Sequence, residues 1–86
     1  MSECQHMNSV PVPEPEPGTN GCEECLAIGQ RWVHLRKCLT CGHVGCCDSS
    51  IGQHATRHYR QTGHEVIRSA EPDEDWRYCY VDATMA

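Results

Sequence analysis

The chain has no phenylalanine, no apolar run approaching the roughly 20 residues that cross a bilayer, and no Lys or Arg in its first 30 positions. Each absence closes off a class of protein. Without Phe, and with 38% hydrophobic residues in a length of 86, there is little material for an apolar core. A domain this small buries only about 60% of the surface that its unfolded chain exposes. Residues 1–21 have neither the positive start nor the apolar stretch of a secretory signal, so the reducing cytoplasm is the expected compartment. Set against the roughly 100–200 residues of a typical domain, the length predicts a single domain, 1–86, and a monomer with no membrane span.

Cysteine and histidine are what the chain has in excess. Eight Cys and six His make up about one residue in six, far above ordinary usage. A core too thin to stand alone needs disulfides or metal ions. In a reducing compartment, C-x-x-C pairs beside His read as metal sites, and the adjacent Cys46 and Cys47 fit poorly into a disulfide framework. Net charge is −5, unevenly spread. Residues 1–30 carry five acids and residues 69–86 carry five against Arg77, which leaves Arg31, Arg36, Lys37, Arg57, Arg60 and Arg68 to face Asp48 and Glu65, a local +4. Nucleic acid is a poor match, because binding phosphates takes a clear cationic excess. Solvated charge around a metal core accounts for the strip.

Residues 7–21, MNSVPVPEPEPGTNG, hold four of the five prolines at alternate positions and read as an extended, polyproline-like tether. Ahead of it, Cys4 and His6 stand two apart. Trp32, His34 and Arg36 alternate with Val33, Leu35 and Lys37, predicting a strand over 31–39. Two more strands are predicted over 65–70 and 77–82, separated by an acidic turn at 71–75. Asp48, Ser49 and Ser50 are all able to cap a helix over 51–61, and Gly63 lies where a left-handed stop belongs.

Zinc takes four tetrahedral nitrogen or sulfur ligands, and a C-x-x-C knuckle supplies two thiolates from one turn. Cys22/Cys25 and Cys38/Cys41 are two such knuckles, followed by Cys46, His54, His58 and His64. On a helix, His54 and His58 share a face, and His64 follows just beyond Gly63. Five thiolates and three imidazoles suffice for two closed sites. Spacing does not say how the eight divide.

These motifs, C22-EE-C25, C38-LT-C41, G45-C46, H54-ATR-H58, T62-G63-H64 and Y78-C79-Y80, resemble the UBP-type zinc finger of ubiquitin-specific proteases and of a histone deacetylase with a ubiquitin-binding tail. They span nearly the whole chain, and its length is similar to the short prokaryotic members. The resemblance implies a small zinc-stapled α+β domain, with a short antiparallel or mixed sheet, one main helix and cross-braced zinc sites. It implies Cys22, Cys25, Cys46 and His54 at one zinc, and Cys38, Cys41, His58 and His64 at the other. Cys47 stands where the family usually carries Gly, and competes with Cys46 as a ligand. Three-zinc members add a C-x-H and a C-x-x-C; Cys4, His6 and Cys79 match, with Asp82 in place of the last Cys. A carboxylate is an acceptable zinc ligand. Three Zn²⁺ are therefore expected.

Catalysis is not expected. His54 and His58 have the spacing of a zinc protease, but Ala55 stands where its Glu base belongs. Sites closed by four protein ligands leave no position for water or substrate. Of the thiols, Cys47 alone is uncommitted, with His34 or His43 as conceivable partners, and its plain role is packing. The family's activity is capture of the free Gly-Gly carboxylate of ubiquitin. Here the family's Arg falls on Asp48, one Trp on Arg36 and another on Tyr78, while Tyr80 is retained. Gly-Gly capture is thus not the expected activity. Trp32, Trp76, Tyr78 and Tyr80, with Arg36 supplying charge, line a candidate peptide groove or else fill a Phe-less core. The expected function is a zinc-binding protein-interaction module reading a peptide segment or terminus. The alternatives are a zinc-buffering or redox-sensing protein, and a nucleic-acid-binding finger.

Overall fold

A computed structural model describes residues 10–85. Elements follow as α1 (Glu23–Ile28), β1 (Leu35–Cys38), β2 (Val44–Cys46), α2 (His54–Thr62), β3 (Val66–Ser69), β4 (Arg77–Cys79) and β5 (Thr84–Met85). The strands form one sheet in the order β2-β1-β3-β4-β5, with every pairing antiparallel, so the small α+β fold has an antiparallel and not a mixed sheet.

Several predicted elements shrink or shift, for local reasons. The strand expected over 31–39 begins only at Leu35, because the Val33 amide donates to Ser50 Oγ at 2.8 Å and not to a neighbouring strand. That same bond uses the hydroxyl expected to cap α2. Asp48 is likewise engaged, accepting from the Thr56 hydroxyl. The helix therefore starts at His54 and not at 51, with Gln53 in a left-handed conformation (φ 47°) at its N-cap and no side-chain cap. Its end is as expected: Gly63, at φ 76°, donates its amide to Tyr59 O at 2.7 Å. Helix α1 was not predicted. It is six residues long, and its N-cap is a knuckle thiol, Cys22 Sγ, 3.4 Å from the Cys25 amide. Strands β2 and β5 are too short to show alternation.

Helix α2 packs over β2 and β1. The approach is close because position 45 is glycine: a Cβ there would lie 2.6 Å from Ala55 N and 2.8 Å from Ala55 Cα. Among the described residues, six of the eleven buried hydrophobic side chains are cysteines. The interior is therefore built mainly of thiols, with Leu39, Val44, Val66, Ile67 and Ala55 between them.

Residues 10–21 belong to the predicted tether, but they form a docked strap. Lys37, Arg68 and Arg77 are successive register partners on β1, β3 and β4 and project from one sheet face. Like charges so placed repel. Glu14 offsets this, with Oε1 3.4 Å from Lys37 Nζ and 3.0 Å from Arg68, and Oε2 bonded to Arg77. Burial pushes the Glu14 carboxyl up, but the bonds and charges of Arg77 and Arg68 outweigh it and hold the group at about 2. Farther along, Gly18 N donates to Gly42 O at 3.0 Å. Half of the basic strip, Arg36, Lys37 and Arg68, is thus engaged with acids of the chain, while Arg31, Arg57 and Arg60 are exposed. Among the described residues, no helix is long and apolar enough to cross a membrane.

Candidate metal centres and a peptide groove

Two Cys/His clusters form where the knuckles meet α2. In the first, Cys22 and Cys25 come from the start of α1, Cys46 from β2 and His54 from the first residue of α2, and all four are buried. His54 Nδ1 lies 3.3 Å from Cys22 Sγ and 3.4 Å from both Cys25 Sγ and Cys46 Sγ, while the Cys25 and Cys46 sulfurs are 3.8 Å apart. With Zn–S near 2.3 Å and Zn–N near 2.0–2.1 Å, a tetrahedral ion needs edges of about 3.8 Å (S–S) and about 3.6 Å (S–N). The cluster therefore fits zinc. The Cys25 amide (3.4 Å to Cys22 Sγ) and the His54 amide (3.3 Å to Cys46 Sγ) supply hydrogen bonds that a thiolate accepts well.

The second cluster gathers Cys38, Cys41, His58 and His64. Cys41 Sγ lies 3.4 Å from His58 Nε2, and Cys38 Sγ lies 3.6 Å from His64 Nδ1, again close to tetrahedral edges. This site is at the rim, with Cys38 buried, Cys41 exposed and both histidines half-buried. One turn of α2 separates His54 from His58, so a single helix serves both clusters.

Protonation follows position. Burial, reinforced by the Cys22 and Cys46 thiols, pushes Cys25 up to about 12 without a cation; burial also raises Cys22 and Cys41. Metal binding must therefore expel protons. Burial and the neighbouring His43 and His64 lower His58, which keeps its ring neutral and ready to ligate.

A side-chain link joins the clusters that the spacing did not reveal. Glu24, inside the first knuckle, holds His43 Nε2 between its oxygens at 2.8 and 2.9 Å. The His43 ring in turn stacks on His58, with centroids 4.0 Å apart and planes 5° from parallel. The separation of the two by 19 residues carries no recognisable signal.

Cys47 turns away from the first cluster. Its Sγ lies 3.6 Å from Ser50 Oγ and faces a groove on the α2 side of the sheet. Burial disfavours its thiolate, but the Ser50 hydroxyl and nearby backbone groups outweigh that and lower it. The groove has a volume of about 370 Å³ and contains Arg36, Trp76, Tyr78, Tyr80 and Asp48. Arg36 lies over the Trp76 ring, 4.5 Å from its centroid. Tyr78 meets Tyr80 edge-on at 5.4 Å, and Tyr80 stacks on Tyr59 of α2 at 4.6 Å. Trp32, expected among these aromatics, is not there. It packs against the first cluster beside Leu35, because residues 31–34 leave the sheet and run past α1. Of the expected third site, Cys79 is buried in β4 and Asp82 is exposed beyond it, while Cys4 and His6 lie outside the described residues.

A sequence model described as the zinc finger in ubiquitin hydrolases and other proteins matches residues 22–86. The chain belongs to the UBP-type zinc-finger family. It is 34% identical over 65 residues to human BRCA1-associated protein, covering 74% of this chain and 10% of that protein. It is 30% identical over 74 residues to ubiquitin carboxyl-terminal hydrolase 14 of Saccharomyces cerevisiae, covering 78% of this chain and 9% of the hydrolase. The chain thus spans about a tenth of the length of these relatives. The solution NMR structure of protein RPA1320 from Rhodopseudomonas palustris superposes with a TM-score of 0.89 at 52% identity, covering 99% of this chain and 81% of that one. The UBP-type assignment and the two Cys/His clusters together make this a zinc-binding module.

Proposed function

We propose that this UBP-type finger is a zinc-stapled recognition module that reads a short peptide segment and has no catalytic role. One Zn²⁺ sits at Cys22, Cys25, Cys46 and His54, and another at Cys38, Cys41, His58 and His64. Four protein donors at each leave no open coordination position, so both ions hold structure and neither carries chemistry. A third Zn²⁺ at Cys4, His6, Cys79 and Asp82 completes the reading. Native mass spectrometry tests the count: three ions are expected, and Asp82→Ala should lose one of them.

The observation that carries the reading is the groove. Half-buried aromatics around a hollow at the low end of the roughly 300–1,000 Å³ of ligand sites suit one side chain and its flanking backbone. The hollow beneath the strap is a weaker candidate, since Glu14 already holds the Lys37 and Arg68 that line it. A pull-down with zinc-loaded protein, repeated with Tyr80→Ala, is the test. Loss of capture with zinc content intact supports the reading, and equal capture by both forms rejects the groove.

A further inference from the structure

The groove's charges are unequally provided for. Its charged or chargeable side groups besides Cys47 and the tyrosines are His34, Arg36 and Asp48. The two basic ones have acidic partners within the chain. His34 Nδ1 lies 3.2 Å from Glu71. Arg36 covers Trp76, donates to Leu35 O at 2.9 Å and has Glu74 at 3.9 Å. Asp48 has no Lys, Arg or His within ion-pair distance among the described residues. Among the described residues its carboxylate accepts from the Thr56 hydroxyl alone, which itself lies 3.2 Å from Tyr80 OH. An incoming carboxylate would find the basic groups engaged and Asp48 bare. An incoming cation would find an unmatched anion in a chain of net charge −5.

Beside Asp48, the Tyr78 and Tyr80 rings meet at 89° and form an apolar corner open to a methylene stem, with π faces that attract a cation. Resting on the peptide-reading function proposed above, we infer that the groove takes a lysine side chain of an extended peptide, its stem along Tyr78 and Tyr80 and its ammonium at Asp48. Lysine suits the site better than arginine. The flat surface that would stack a guanidinium is the Trp76 face already covered by Arg36, whereas an ammonium is a compact charge needing only the carboxylate and an open ring face. A chain's N-terminal ammonium has no stem to lay along the phenol rings.

The test titrates zinc-loaded, isotope-labelled protein with four short peptides and follows the Trp76 indole and Tyr80 amide signals by NMR. One peptide is blocked at both ends and carries a central lysine; the second has that lysine acetylated; the third has a free N-terminus and no lysine; the fourth ends in Gly-Gly with a free carboxylate. The lysine peptide should shift both signals, and acetylation should weaken it about five- to thirtyfold, the combined worth of an exposed ion pair and a cation–π contact. Asp48→Asn, which removes the ion pair and leaves the cation–π contact, should weaken it about two- to fivefold with zinc content unchanged by native mass spectrometry, whereas equal binding by Asp48→Asn overturns the inference. Since acetylation alters only the ligand, that comparison stands even if the variant misfolds. Equal binding of the acetylated peptide, or of the lysine-free amine, overturns the lysine assignment while leaving a peptide groove. Tighter binding of the Gly-Gly peptide reverses the charge argument and keeps the groove. If none of the four moves either signal, the peptide-reading function fails, and this inference with it.

Discussion

The buried cluster and the rim cluster offer zinc four donors each, but they stand in different solvents. Around Cys22, Cys25, Cys46 and His54 no ligand is exposed, and Trp32 and Leu35 pack against the sulfurs. Around Cys38, Cys41, His58 and His64 one thiol is exposed and both imidazoles are half-buried. Three thiolates in the first site more than offset the ion's two positive charges, while two in the second match them. Metal and core would therefore be the same object at the first site. At the second, a metal would tie a helix and a knuckle together at the surface, where water and chelators reach it. The difference teaches that equal donor counts do not mean equal roles.

Removing a donor from the buried site should have the largest effect. His54→Ala, or exhaustive chelation, is expected to abolish folding, because the apparent binding free energy of structural zinc, about 10–16 kcal/mol, matches or exceeds the whole stability of a small domain. Circular dichroism and proton shift dispersion read the loss. A dispersed spectrum from the metal-free, reduced protein would refute it.

Cys41→Ser should do less. One ion is expected to leave by native mass spectrometry, while the sheet and the first site survive, with hydrogen-exchange protection lost mainly near the end of α2 and around 38–43. Global unfolding would show that the two sites are one cooperative unit.

Glu24→Gln sharpens the comparison further, since Glu24 reaches the rim site through His43 and its stack on His58, and meets the buried site only at 3.9 Å from Cys22 Sγ. Groups one shell out from a metal typically change affinity by about 10–100-fold when mutated. We expect about tenfold faster zinc release from the rim site and a smaller change at the buried one, read by chelator competition, with the cobalt spectra of Cys₃His and Cys₂His₂ donor sets separating the two.

The smallest effect on zinc is expected at the strap, since Glu14 binds cations of the sheet and no metal donor. Glu14→Gln should cost about 1–3 kcal/mol, the worth of a hydrogen bond to charged groups. Its pH dependence has a definite sign. The folded carboxyl titrates at about 2 against an ordinary value of 4.5, so its contribution is complete above 4.5 and is lost as the pH falls through 2. Thermal melts of both proteins at neutral pH should differ accordingly, and identical melts would mean that the Lys37, Arg68 and Arg77 row needs no anion.

What the sequence determined by itself is whatever lies within a few residues or follows from a total. Two C-x-x-C turns, two imidazoles at i and i+4, the Gly63 stop and the donor count of eight were legible, because covalent spacing limits where those atoms can be. So was the case for metal, which follows from the surplus of Cys and His over a thin apolar core. The start of α2 was misread at Asp48 and Ser50, since both side chains are spent on distant partners, Thr56 and Val33. Trp32 was misplaced because alternation does not say where a strand leaves its sheet. Only the tertiary structure decided that Cys46 faces the cluster and Cys47 the groove, that Glu24 reaches His43, and that Glu14 bridges three strands. It also decided that Asp48 has no cation beside it among the described residues. Each of these is a pairing across 19 or more residues, or the direction of one side chain among neighbours, and neither leaves a period or a spacing in the chain.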